Sequence, residues 1–308
     1  MILPTFNRSD YLRSAVESVF AQTFDDWELV IADDGSTEET RAYLRGLPAP
    51  RVRTLWLSHS GNPARARNAG IAVAAGRYLA FLDSDDVWAP TKLEKQTKAM
   101  AAHAGRGWSY TGCDRIDEDG RPLDRVPTSK RPTPDGWILE PLLTLELSIA
   151  MPTVVAERTL VTRIRGFDER QRFGEFHDFC VRLAMRSEVV SLGEALCSVR
   201  SHRQHYSGDR IAARESWDDL YRKMAALAPN DRVRSRCRRL RADASLDLAS
   251  LRERNGDYRG VWRTLAKASA FSWRYPGWWL GALKRIARPV VPVAVIKAYK
   301  RRRSASAI

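Results

Sequence analysis

At 308 residues the chain holds one large domain or one domain with an appendage, and its 44% hydrophobic content is that of an ordinary globular protein. The formal net charge of +14 is unevenly placed: residues 1–208 carry 27 Lys and Arg against 28 Asp and Glu, a net of −1, whereas residues 209–308 carry 24 against 9, a net of +15. That split argues against nucleic-acid binding by the whole protein and gives the basic charge a separate C-terminal role.

Met1, Ile2 and Leu3 run straight into Pro4-Thr5-Phe6-Asn7-Arg8. A buried strand usually has about four to eight apolar residues, so the first strand looks clipped, either by a late start or by shortening. Ser9 is the expected N-cap of a helix in which Leu12, Ala15, Val16, Val19 and Phe20 share one face. Residues 27–32 (WELVIA) read as a second strand, which ends at Asp33-Asp34-Gly35-Ser36-Thr37 before a helix opening with Glu38. Strand, Gly-containing polar turn and helix make half of a nucleotide-binding α/β unit. An Asp just past such a strand can accept hydrogen bonds from a base or ribose, or can simply cap the turn.

Residues 52–57 form a third predicted strand, and GNPARARNAG (61–70) opens a helix through Ala75, ended by Gly76. Arg65 and Arg67 in its first turns oppose the helix macrodipole and make more sense reaching toward an anion such as a diphosphate. Then comes RYLAFLDSDDVWAP (77–90), in which an apolar run from Tyr78 to Leu82 stops at Asp83, Ser84, Asp85 and Asp86. Three carboxylates within four residues repel one another and are best tolerated beside a cation. A hard divalent ion such as Mg²⁺ takes oxygen ligands of this kind together with substrate phosphates, and open α/β sheets bind ligands beyond the carboxyl ends of their strands. The alternative is a surface turn with Asp83 or Ser84 capping the next helix. The order β-α-β-α-β-α-β implies a mainly parallel sheet with helices on both faces.

A helix is expected over 89–102 with Lys92, Lys95 and Lys98 on a solvated face, and a strand over 108–113. Residues 117–129 read as a polar loop or hairpin turning at Asp119-Gly120. Residues 139–147 are helical, 153–156 a strand, and a further helix ends near Arg165-Gly166-Phe167-Asp168.

Eight motifs in order carry a resemblance. They are PTFNR (4–8), Gln22-Thr23, VIADDGST (30–37), ARN (66–68) with Gly70, GRYLAFLDSDD (76–86), Arg165-Gly166-Phe167-Asp168-Glu169, EFHDFCVRLA (175–184) and VRSHRQHYS (199–207). The chain resembles the family 2 inverting glycosyltransferases of GT-A fold over residues 1–208. The resemblance implies a nucleotide-diphosphate sugar donor, a UDP-sugar first among them, and a divalent cofactor, Mg²⁺ or Mn²⁺. Pro4 would flank the nucleotide, Asp34 would contact the base with Asp33 in support, and Arg67 would lie near the diphosphate or ribose. Asp85 and Asp86 stand at the family's Asp-x-Asp metal motif, with Asp83 as its first member, and Asp86 is the leading metal ligand. His202 stands where some relatives bring a histidine toward the metal or diphosphate; a structural histidine in a loop is the alternative. The acceptor hydroxyl would attack the anomeric carbon in line, with a carboxylate as general base.

One departure matters. Relatives place that base in a Glu-Asp pair six residues before an Arg, here Arg182, and the position holds Phe176. Three readings follow: Asp178 takes the role, with Glu175 second, or His177 acts with one of them; the alignment is off by two residues, which puts Asp178 at the base position; or the enzyme is weak or inactive on the usual acceptors. Asp178 and Arg182 are also spaced for an ordinary i,i+4 ion pair.

Residues 209–308 read as a basic α-helical extension. Residues 240–249 and 261–271 are helical and flank a turn at 255–258, like one tetratricopeptide-type unit, too little for a solenoid. Trp278, Trp279, Leu280, Leu283, Ile286 and the apolar run 289–296 are interleaved with Lys284, Arg285, Arg288, Lys297, Lys300 and Arg301 to Arg303. That composition suits peripheral membrane contact; a packed helix followed by a solvated basic tail is the alternative. Nucleic acid is not the expected partner.

Cys113, Cys180, Cys197 and Cys237 are spaced for neither a metal nor a disulfide framework, consistent with a reducing compartment. No signal peptide precedes the first motif and no apolar run approaches a membrane span. The expected location is cytoplasmic, peripheral on the inner face of the plasma membrane. The expected function is a metal-dependent, hexosyltransferase-type enzyme that transfers a sugar with inversion to a glycan or lipid-linked acceptor in cell-surface polysaccharide or glycolipid synthesis. A catalytically inactive nucleotide-sugar-binding protein on the same fold is the alternative. A nucleotidyltransferase, which would release pyrophosphate, is disfavoured by the ordered motifs.

Overall fold

A computed structural model describes residues 1–48, 50–123, 133–201 and 210–287. The chain divides into two units, Met1–Tyr206 and Ser207–Ile308.

In the first unit, β1 (Ile2–Thr5), β2 (Leu29–Asp33) and β3 (Val52–Trp56) form a parallel sheet in that order. The Leu82 backbone N–H donates to the Ile2 carbonyl at 3.1 Å and Phe81 bridges Ile2 in parallel. The chain just past β4 (Tyr78–Ala80) therefore continues the sheet on the free side of β1. Beyond it pairing is mixed: β4 meets β7 (Val155–Glu157), β7 meets β6 (Trp108–Ile116), β6 meets β8 (Val189–Arg200) and β8 meets β5 (Val87–Trp88). Among the described residues, only the β6–β8 pair in this half is parallel. Ile2 and Leu3 of β1 are fully buried, and all four of its residues register against β2.

Four of the five residues on the predicted face of α1 (Ser9–Phe20) are buried, Leu12, Ala15, Val16 and Val19, whereas Phe20 at its last position is exposed. Its N-cap is Arg8 rather than Ser9, whose hydroxyl instead donates to Glu39 Oε1 on α2 (Glu38–Arg45). Gln22 explains its place among the motifs. Its amide donates to the Ser18 and Ala89 carbonyls while its Oε1 accepts from Leu93 N–H, tying the end of α1 to the start of α4 (Lys92–Ala102).

α3 (Pro63–Val73) begins at an Asn62 cap that accepts from Ala64 N–H, with proline at the first helical position. It presses so closely on β1 that a Cβ on Gly70 would stand 2.7 Å from Ile2 Cγ2. Lys92 is not on the solvated face of α4. It is fully buried over the Trp88 ring and donates to Gln96 Oε1, because it lies on the same helical stripe as Leu93, Gln96 and Met100. Lys98 is exposed and Lys95 pairs with Glu194. The 117–120 turn forms as expected, with Gly120 at φ 85°. α5 (Leu139–Leu143) and α6 (Arg158–Arg163) are shorter than the sequence pattern. The twelve residues of β8 follow α7 (Glu175–Ala184) as a strand that the pattern did not single out.

The second unit comprises α8 (Arg210–Leu227), α9 (Asp231–Arg254), α10 (Tyr258–Ser272) and α11 (Pro276–Ala287). Asn230 and Asp257 cap α9 and α10 through side-chain hydrogen bonds. The core joins Ala242 and Ala249 of α9 to Val261, Leu265 and Ala268 of α10 and Trp278 and Ala282 of α11. Trp278, expected among the interfacial residues, is instead a core anchor, 3% exposed, with its indole N–H donating to Ser245 Oγ at 2.9 Å. Residues 288–308, including the run 289–296 and the last five basic side chains, lie outside the described residues.

Candidate active site

The site forms where β1, β2 and the continuation of β4 end side by side. A cavity of about 390 Å³ lies there, lined by Pro4, Phe6, Arg8, Asp34, Arg67, Asp83, Asp85, Asp86 and Glu175, with Met151 and Pro152 closing one wall. Residues from five separate motifs thus share one cavity.

The first acidic pair is heavily engaged. Asp33 is fully buried, and its carboxylate accepts from Ser36 N–H at 3.2 Å and from Arg41 Nε at 3.4 Å, closing the turn after β2. Asp34 faces the cavity, while its carboxylate accepts from Ser60 N–H and Oγ and from Gly61 N–H, fixing the 59–61 loop. His59 stands 3.2 Å from that carboxylate and stacks on Phe6 with ring centroids 4.0 Å apart. Phe6 stays 39% exposed at the cavity, a flat apolar surface of the kind a nucleobase stacks on. Sequence reading passed over Phe6 and His59, although Phe6 lies inside the PTFNR motif.

Arg67 is 5% exposed at the centre. Its Nη2 donates to Asp83 Oδ1 at 2.7 Å and its Nη1 to Glu175 Oε1 at 3.1 Å. The guanidinium carbon stands 5.4 Å from the Phe167 ring centroid. Burial alone would lower the Arg67 pKa, but the two carboxylates outweigh it and hold the pKa above its ordinary value. The arginine expected near a diphosphate therefore spends both terminal nitrogens on carboxylates.

The acidic loop crowds three carboxylates together. Asp86 is 4% exposed, and burial, followed by repulsion from Asp83 and Asp85, pushes its carboxyl well above the usual range. Its Oδ1 accepts from Arg200 N–H at 2.9 Å. The Arg200 side chain donates to the Asp85, Asp117 and Glu118 carbonyls and lies over Tyr11. Arg200 is a brace for the loop that sequence reading missed; the signal available was its place in the motif beginning at Val199. His202 lies outside the described residues.

α7 separates the three candidates for general base. Glu175, in the first turn, lines the cavity. Asp178 is fully buried and does not line it; its Oδ2 accepts from Arg182 Nε at 2.6 Å, while Arg182 Nη1 donates to the Ile164 and Gly166 carbonyls. That network fastens α7 to the turn after α6, and of the two carboxylates it is Glu175, not Asp178, that α7 places at the cavity. His177 faces the Leu142 backbone, and burial lowers its pKa to about 4, which keeps it neutral at physiological pH.

Residues 1–142 match the family model described as Glycosyl transferase family 2. The chain is 40% identical over 127 residues to TuaG of Bacillus subtilis, a glycosyltransferase whose name assigns it to teichuronic acid biosynthesis, covering 41% of this chain and 50% of TuaG. It is 37% identical over 100 residues to WfgD of Escherichia coli, named as a UDP-Glc:alpha-D-GlcNAc-diphosphoundecaprenol beta-1,3-glucosyltransferase, covering 32% of this chain and 40% of WfgD. The chain thus spans half or less of the length of these relatives. In fold it is similar to S. aureus TarS 1–349 in complex with UDP-GlcNAc, with a TM-score of 0.60 at 16% identity, covering 89% of this chain and 92% of that one. It is also similar to the mannosyltransferase PcManGT of Pyrobaculum calidifontis in complex with GDP-Man and Mn²⁺, with a TM-score of 0.57 at 18% identity, covering 94% and 85%.

Proposed function

Because residues 1–142 belong to glycosyl transferase family 2, on a sheet of GT-A type, we propose that the protein moves a sugar from a nucleotide-diphosphate donor to an acceptor hydroxyl with inversion. The observation that carries this reading is the convergence of Asp34, Arg67, Asp83, Asp85, Asp86 and Glu175 on one cavity from four motifs.

Each side chain has a role that follows from its position. Phe6 offers the base a stacking face, with Pro4 and Asp34 beside it. Asp86 and Asp85 fit a cation, because burial and repulsion from Asp83 and Asp85 push the Asp86 carboxyl well above the usual range and a positive charge there would relieve it. They would hold Mg²⁺ or Mn²⁺, which neutralises charge on the leaving diphosphate when bound. Glu175 takes the proton of the acceptor hydroxyl as it attacks the anomeric carbon, a contribution of about 10²–10⁴-fold. Arg67 holds that carboxylate and Asp83 in fixed positions. A UDP-sugar donor is supported by the UDP-Glc in the name of WfgD and the UDP-GlcNAc in the similar TarS structure. A lipid-linked or glycan acceptor in cell-surface polysaccharide assembly is supported by the teichuronic acid in the name of TuaG and the diphosphoundecaprenol in the name of WfgD, and the chain is read as peripheral at the inner face of the plasma membrane. Among the described residues, no helix is long and apolar enough to cross a membrane. The second unit is read as a basic helical appendage in which α9 and α10 form one tetratricopeptide-like pair.

Donor hydrolysis across a panel of nucleotide sugars with Mn²⁺ or Mg²⁺ tests this. Nucleoside diphosphate released by the wild type and not by Asp86→Ala is the expected result. Phe176 at the family's base position favours a second reading, a nucleotide-sugar-binding protein without turnover. Binding of a donor with no release of nucleoside diphosphate, with sugar and lipid acceptors supplied, would select it.

A further inference from the structure

Helix α11 is two-faced in an unusual sense: its anchored side is well packed, and its outer side is apolar as well. Trp278 and Ala282 point into the core of the second unit. Gly281 lets the helix approach α9 so closely that a Cβ there would stand 2.9 Å from Leu246 Cδ1. These contacts fix the rotation of α11 about its axis. Trp279, Leu280 and Leu283, at spacings of three and four, are thereby turned outward, 40%, 63% and 57% exposed. Trp273, at the end of α10, is 60% exposed. Isolated exposed apolar residues need no explanation, but a contiguous helical face of them does.

Charge identifies the occupant. From Tyr258 to the end of the sequence there is no Asp or Glu, and there are twelve Lys and Arg. Lys284 is exposed on α11 beside the apolar face, and Arg274 stands over the Trp273 ring at 4.6 Å. A second copy packing through the same face would set one acid-free basic segment against another and be repelled. An anionic bilayer supplies both things this surface lacks, an apolar boundary for Trp279, Leu280 and Leu283 and negative headgroups for the basic rim.

We propose that the outer face of α11 is a docking surface for an anionic lipid bilayer, with Trp279, Leu280 and Leu283 entering the headgroup boundary. This gives the peripheral location under the transferase reading a specific element, and it stands or falls separately from catalysis. The test is co-sedimentation of the full chain with vesicles of phosphatidylcholine alone and of phosphatidylcholine with phosphatidylglycerol, for wild type, Leu280→Asp/Leu283→Asp and Asp86→Ala. The expected result is binding to the anionic vesicles only, weakened about tenfold or more in the double variant and unchanged in Asp86→Ala, with donor hydrolysis retained by the double variant. Equal binding by wild type and double variant would overturn the proposal. So would equal binding to neutral vesicles, or a double variant that merely converts a dimer to a monomer with vesicle binding intact. Loss of hydrolysis in every preparation with the vesicle result unchanged would count against the transferase reading alone.

Discussion

Arg67 and Glu175 are 108 positions apart in sequence and meet in a charge-assisted hydrogen bond of 3.1 Å at the wall of the cavity. The same guanidinium holds Asp83 at 2.7 Å, so one side chain sets the distance between the acidic loop and the start of α7. Lysine carries the charge but lacks the fork that serves two carboxylates at once. Arg67→Lys is expected to lower donor kcat/KM by about 10²-fold, within the range seen for loss of a single preorganised donor. Arg67→Ala should lower it further, because two carboxylates are then left facing each other. Steady-state kinetics on the preferred donor would check this, and a near-wild-type Arg67→Lys would refute the positioning role.

Glu175 and Asp178 make opposite predictions. Glu175→Gln should reduce transfer by about 10²–10⁴-fold and leave donor affinity within a few-fold. Asp178→Asn should act mainly on stability, by about 3–5 kcal/mol, since it leaves Arg182 without its buried counter-charge. Urea unfolding and single-turnover transfer measured on both variants would separate the two. If Asp178→Asn folds as the wild type and loses turnover, Asp178 returns as the base.

Arg200 tests the brace. Its side chain satisfies three backbone carbonyls around the acidic loop, so Arg200→Ala should destabilise the first unit by about 2–4 kcal/mol. It should also raise KM for the donor more than it lowers kcat. Lysine at this position should not rescue KM, because a single ammonium cannot reach carbonyls on both sides. A kcat loss with KM unchanged would place Arg200 in a different role.

Lys92 gives a pH dependence. Burial lowers its pKa from 10.5 to about 7, against a small opposing influence from Cys197. The unfolded chain therefore holds more protons than the fold between about pH 7 and 10.5, and stability contributed by this site rises with pH across that window. Below about pH 7 the fold carries the full penalty of a buried ammonium. Lys92→Met should be more stable than the wild type at pH 6.5 by urea unfolding, as an order-of-magnitude inference from that penalty, and should lose the advantage as pH rises toward about 9.5. Parallel stability profiles for the two proteins would show that Lys92 is neutralised in some other way.

How much was legible beforehand depended on whether the information was local. The strands β1 to β4 and helices α1 to α4 follow from period and turn chemistry, and the acidic loop announces itself as three like charges in four residues. Lys92 was misread because a lysine at helical spacing looks solvated, and only the neighbouring Trp88 and Gln96 show why it is buried. β8 was missed because Gly193 and Glu194 interrupt its apolar alternation at the register shift against β6.

The sequence alone determined the resemblance to glycosyl transferase family 2, the order of β1 to β4 and α1 to α4, and the acidic segments from which the site draws its carboxylates, since each is written in contiguous residues. Tertiary structure decided which of those carboxylates faces the cavity. Asp178 and Glu175 lie three residues apart on one helix, and their fates differ because α7 turns one toward Arg182 and the other toward Arg67. It likewise decided that Trp278 is core and Trp279 surface, because adjacent helical side chains point about 100° apart and packing of Gly281 against Leu246 fixes which of the two is buried.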